Sequence, residues 1–180
     1  MKFFFIIAIA ALFAVPAQAQ FTAATLQASG LTCSMCSKAV KTALDKVSFV
    51  EKVAVDIKNQ QYNLTFKKDA AVDFDALSKA VEDAGFSISG LTVTADVPSS
   101  DVTKDAHIKI GNQYFHFLNA TNQTLNGSTT FSLVDKHFVS AKALKKWSAA
   151  SKMECVQTGH ASNGATDGVA TGTRVYHAVI

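Results

Sequence analysis

Arginine is almost missing from this chain: Arg174 is the single example in 180 residues. A nucleic-acid interface is normally a basic stripe that includes arginines. The lysines are instead scattered or spaced along helical stretches (Lys38, Lys41 and Lys46; Lys142, Lys145 and Lys146). The residues therefore argue against a nucleic-acid partner. Cysteine is also scarce, with three in the chain, Cys33, Cys36 and Cys155. An odd count leaves at least one thiol outside any intramolecular pairing, so a disulfide-stapled scaffold is not expected and the fold should stand mainly on its hydrophobic core. There are two prolines, Pro16 and Pro98, and only the second lies beyond the N-terminal apolar stretch. No later apolar run approaches the about 20 residues that a membrane-spanning helix needs. An integral membrane segment in the mature chain is not expected.

The N-terminus has the form of an export signal. Met1-Lys2 is a short basic start, Phe3 to Val15 is nearly all apolar, and Ala17-Gln18-Ala19 supplies the small-residue cleavage pattern. Residues 1–19 are expected to be a signal peptide cleaved after Ala19, with the product periplasmic or secreted. Removing Lys2 lowers the formal charge of +3 by one, leaving a nearly balanced protein.

From Phe21 to Ser29 the residues alternate loosely as a strand does, ending at Gly30. Met35, Ala39, Val40, Ala43, Leu44 and Val47 then fall at helical spacing. Phe49 to Ile57 predicts a strand with Val53, Val55 and Ile57 inward, and Gln61 to Phe66 predicts its hairpin partner. Asp73 is placed to cap a helix carrying Phe74, Leu77, Ala80, Val81 and Ala84 inward, and Gly85 to end it. A last strand is predicted over 86–94. The order β-α-β-β-α-β over about 70 residues is the ferredoxin-like, split βαβ arrangement.

At its first strand-to-helix turn lies Gly30-Leu31-Thr32-Cys33-Ser34-Met35-Cys36. A Cys-x-x-Cys pair in this position either binds a soft metal or cycles between dithiol and disulfide. Cys36 is expected in the first helical turn, where unsatisfied N–H groups favour a thiolate, with Cys33 converging from the loop. Two exposed thiolates suit Cu(I), which is soft and accepts low coordination, whereas a closed zinc site takes four ligands. Ligand type does not separate Cu(I) from Hg(II); Zn(II) and Cd(II) rank lower. The alternative is a periplasmic thiol-disulfide oxidoreductase, but thioredoxin-like proteins resemble Trp-Cys-x-x-Cys with a later proline beside the pair. Here Thr32 precedes Cys33 and Pro98 is far along the chain.

The run Gly30-Leu-Thr-Cys-Ser-Met-Cys36 resembles the Gly-Met-Thr-Cys-x-x-Cys signature of heavy-metal-associated domains, with Leu31 in place of the usual Met. Such domains occur in copper chaperones, in metal-exporting P-type ATPases and in periplasmic mercury-binding proteins. Val50-Glu-Lys-Val-Ala-Val55 is similar to the family's second strand, and Val81-Glu-Asp-Ala-Gly-Phe86 to the end of its second helix. The resemblance covers about residues 22–95. It implies metal ligation by Cys33 and Cys36, no enzymatic activity, and a metal donor or acceptor as partner, such as a metal-transporting ATPase or an efflux component. Leu31 is expected to pack beneath the loop.

Beyond this unit, 97–105 reads as a linker broken by Pro98, and 106–180 as a second small α+β domain with partial barrel closure as one option. Short strands are predicted at 107–110, 114–118, 130–134 and 174–180, a helix at 140–150, and polar turns over 119–130. Residues 162–172 are expected to form a loop. Cys155 and His160, with His107, His116, His137 and His177, offer further soft and borderline donors. Histidines in alternating strands are more often structural, and Cys155 suits a buried apolar position. Met35, Cys155 and His160 are therefore only weaker candidates for additional ligands, with Met35 expected in the core. The reading as a whole is an exported, soft-metal-binding α+β protein: signal peptide 1–19, ferredoxin-like domain 20–96, linker 97–105 and second domain 106–180.

Overall fold

The computed structural model describes residues 20–162 and 168–180, so the expected signal peptide and part of the expected loop at 162–172 lie outside the described residues. Strand β1 (Gln20–Ser29) buries Phe21, Ala24, Leu26 and Ala28. Gly30, at φ +84°, then turns the chain toward helix α1 (Ser34–Asp45). Positive φ is a conformation that glycine adopts without a Cβ penalty. Helix α1 buries Val40 and Leu44, one turn apart on one face. Strands β2 (Val50–Asp56) and β3 (Gln61–Phe66) form the expected hairpin. Ile57, expected inward, is 72% exposed because it falls past the end of β2, in the turn.

Helix α2 (Phe74–Asp83) is capped as expected: the Asp73 carboxylate accepts from the backbone N–H groups of Asp75 and Ala76 at 3.0 and 3.3 Å. It packs against α1, with Gly85 at φ +88° just beyond its end. Strand β4 (Ser87–Val102) pairs antiparallel with β1, giving the order β2-β3-β1-β4.

Strand β4 does not stop where a linker was expected. Residues 97–102 continue it as far as Val102, with a register shift between Val97 and Ser100. Pro98 sits inside this irregularity, where a residue without an N–H is tolerated in a sheet. The rest of the chain adds β5 (His107–Ile110), β6 (Gln113–Phe117), β7 (Gln123–Leu133), α3 (Ala141–Ser148), α4 (Cys155–Thr158) and β8 (Val175–Val179). One eight-stranded sheet results, ordered β2-β3-β1-β4-β7-β8-β6-β5. Among the described residues the sheet is open, ending in β2 and β5, so the later strands extend it and do not close a barrel.

Strand β7 corrects the expectation of polar turns over 119–130. Only Leu125, Phe131 and Leu133 are buried along it, so its hydrophobic pattern is faint. It pairs with β4 from Gln123 to Leu133, helped by hydroxyl contacts Thr92–Ser132 at 3.0 Å and Thr94–Thr130 at 3.1 Å. By this pairing β7 covers what would otherwise be the open edge of a four-stranded sheet.

The core runs through both parts of the chain. Phe115 of β6 packs its ring 5.9 Å from Phe21, 6.3 Å from Phe74 and 5.1 Å from Phe131. Tyr176 of β8 stands edge-on to Phe74 at 5.3 Å. Arg174 donates to both carboxylate oxygens of Asp75 at 3.0 and 3.3 Å, and its guanidinium lies 4.1 Å from the centre of the Tyr176 ring. The one arginine of the chain is thus a strut between α2 and the added strands.

Candidate metal site at the first strand-to-helix turn

The loop after β1 and the first turn of α1 bring the sulfurs of Cys33 and Cys36 to 2.9 Å. The pair is not a disulfide. Cys33 occupies the N-cap with extended backbone, φ −155° and ψ 165°, and makes no side-chain capping bond. Its thiol is exposed, while Cys36, held within the helix, is half-buried. The two sulfurs therefore differ in setting: Cys36 sits within the helix and Cys33 at its exposed N-cap.

The Cys36 thiol is lowered to about 7, first by hydrogen bonding from Cys33, then by the backbone and hydroxyl of Thr32. The Thr32 hydroxyl lies 3.8 Å from the Cys36 sulfur. Near neutral pH a substantial part of Cys36 is thus thiolate, the form that binds metal. Below the pair, the fully buried Tyr62 of β3 donates its hydroxyl to the Ser37 carbonyl at 3.3 Å, fastening the first turn of α1 to the sheet. Burial raises the Tyr62 hydroxyl, and the neighbouring Cys36 charge adds to this. Tyr62 was not singled out from sequence, because an inward tyrosine in a strand looks like any core residue. Leu31 is partly buried against the core, as expected of a residue under the loop.

Met35 departs from expectation. It is 70% exposed, not core, and borders a groove between α1 and α2 lined by Ala39, Ala43, Val47, Ala80 and Ala84. The helix begins at Ser34, and this rotation puts positions 40 and 44 inward and 35 outward.

The other two candidate donors separate from each other. His160 is exposed, its Nδ1 2.9 Å from the Thr158 carbonyl oxygen. Cys155 is buried, with its sulfur 3.3 Å from His107 Nε2 and 3.5 Å from His116 Nδ1. The sequence pairing of Cys155 with His160 does not form; two strand histidines, 48 and 39 residues away, take its place.

A ferredoxin-like sheet presenting two close, accessible thiols at its first turn defines a small soft-metal-binding type of domain. The comparisons agree: residues 25–87 match the heavy-metal-associated domain, and the chain belongs to that family. It is 42% identical over 85 residues to the mercuric transport protein periplasmic component of Serratia marcescens, covering 47% of this chain and 91% of that protein. A probable copper-exporting P-type ATPase of Archaeoglobus fulgidus is 30% identical over 64 residues, 36% of this chain and 8% of that protein. Among solved structures, oxidized MerP from Ralstonia metallidurans is 41% identical, with 39% of this chain and 94% of that one covered at a TM-score of 0.34.

Proposed function

We propose that this protein is exported to the periplasm and carries a soft metal ion between Cys33 and Cys36, passing it to a metal-transporting partner. The observation that carries the reading is the approach of two accessible sulfurs to 2.9 Å at a loop-to-helix junction. A two-coordinate ion with metal–sulfur bonds of ~2.3 Å would need the sulfurs up to about 4.6 Å apart. Cys33 supplies that opening by rotating on its loop while Cys36 stays fixed. An exposed site with two ligands leaves room for a partner's thiols to join and displace them one at a time. Low coordination suits Cu(I), ligand type does not separate it from Hg(II), and the likeness to mercuric transport proteins over nearly their whole length supports Hg(II) beside it. The apolar groove beside Met35, rimmed by Lys38 and Lys46, is the natural approach for a partner. The oxidoreductase alternative gains nothing from the relatives, which are named for transport and export.

The test is an anaerobic titration of the reduced protein with Hg(II) and with Cu(I) against a competing thiol chelator. One ion should bind at the pair, and Cys33→Ser/Cys36→Ser should lose it while keeping the fold by circular dichroism. Equal affinity in the double variant would place the carrier site elsewhere. Dithiol turnover of a protein disulfide without metal would restore the redox reading.

A further inference from the structure

We propose a second metal site, buried in the added strands, in which His107, His116 and Cys155 hold a transition-metal ion through two imidazole nitrogens and one thiolate. Their ligand atoms lie within 4.8 Å of one another, and all three residues are buried, at 7%, 0% and 1% exposure. An ion at ~2.3 Å from sulfur and ~2.0 Å from nitrogen sets sulfur–nitrogen separations of about 3.5–3.8 Å for tetrahedral or trigonal geometry. The observed 3.3 and 3.5 Å need only a few tenths of an ångström of widening.

The strand register explains how the site is built. His107 and His116 are direct partners across the β5–β6 ladder, so their side chains share one face of the sheet. Cys155 opens the short helix α4 and comes down onto that pair. The outer groups also fit. His116 Nδ1 faces Cys155 while its Nε2 lies 3.4 Å from Asp105 Oδ1, an oxygen that accepts from the Ser151 hydroxyl at 2.7 Å. A carboxylate behind a histidine fixes the tautomer and ring orientation that a metal ligand needs.

The second hydrophobic cluster, formed by Ala161, Val169 and Val175 with Tyr114 against it, is small. An ion bridging β5, β6 and α4 would fasten the short helix to the sheet where this cluster is small. The site is also separate from the exposed pair. Strand β6 lies four places from β1 in the sheet order, roughly 19 Å at about 4.8 Å per strand. The donor set of two imidazoles and a thiolate suits zinc with a further ligand, or copper in three-coordinate form.

The test uses the chain purified after export and carrying Cys33→Ser/Cys36→Ser, so that the first site contributes nothing. It is stripped of metal, refolded anaerobically with Zn(II), Co(II) or Cu(I), and desalted. One retained equivalent is expected, with a raised melting temperature and, for Co(II), a thiolate-to-metal charge-transfer band. Cys155→Ala should abolish the band and the retained ion, and His107→Gln and His116→Gln should each weaken retention at least tenfold. Asp105→Asn should weaken it about tenfold with the band preserved, as expected of an orienting group. Metal-free melting curves show whether each variant folds, and the two histidine variants decide if Cys155→Ala does not. Retention of Zn(II) and Co(II) but not Cu(I), or the reverse, supports the site and identifies its ion. No retained metal in the Cys33→Ser/Cys36→Ser chain, or retention unchanged by the ligand substitutions, would overturn the proposal. Neither result bears on the carrier reading, which rests on Cys33 and Cys36.

Discussion

The two regions of the sheet that gather cysteine treat it in opposite ways. At the β1–α1 turn, Cys33 is exposed and Cys36 half-buried, with their sulfurs 2.9 Å apart. At the β5–β6 end, Cys155 is 1% exposed and flanked by two buried histidines. Accessibility governs how readily a ligand can be exchanged, so the first arrangement fits an ion in transit and the second an ion that stays. The contrast has a structural root. The first pair is local, two residues on one turn, and asks little of the fold. The second set is drawn from three elements and exists only when the later strands are in register.

The contrast can be tested by asking how far the two regions depend on each other. Phe115 touches rings from both, and Phe115→Ala should cost about 3–5 kcal/mol, the range for truncating a buried aromatic residue. Unfolding should remain one transition in urea, monitored by both Trp147 fluorescence and circular dichroism. Two separated transitions would show that the shared core does not couple the regions. Arg174→Met removes the paired hydrogen bonds to Asp75 and should cost about 2 kcal/mol. Stability is again the measurement, and metal affinity at Cys33 and Cys36 should not change. If that affinity fell with stability, the first site would depend on the added strands after all.

The smallest effect concerns one thiol. Because Cys36 is lowered to about 7, its thiolate is present above that pH and lost below it. Alkylation of Cys36 by iodoacetamide should reach half its plateau rate near pH 7 and fall about tenfold below that plateau at pH 6. Peptide mapping would assign the rate to this cysteine. A midpoint near the ordinary thiol value would remove Thr32 and Cys33 from their role.

Much of the first unit was legible because its signals are local and mutually consistent. Asp73 caps α2 and Gly85 ends it where sequence placed them, since a carboxylate cap and a positive-φ glycine act within a few residues. The later region was harder to read for physical reasons. Strand β7 is polar along most of its length and gains its partner only from β4, so alternation gave little sign of it. Pro98 looked like a chain break but lies in a strand irregularity. Met35 was misplaced because helical spacing gives a face but not the rotation at which the helix begins.

The sequence by itself determined the βαββαβ order and the Cys33–Cys36 pair. Both depend on contacts between residues close in the chain and on hydrophobic periodicity. Only the tertiary structure decided that β4 runs on into a single eight-stranded sheet, that Arg174 braces α2, and that Cys155 meets His107 and His116 in place of His160. Those outcomes depend on strand register and on packing between residues tens of positions apart, which a linear pattern does not encode.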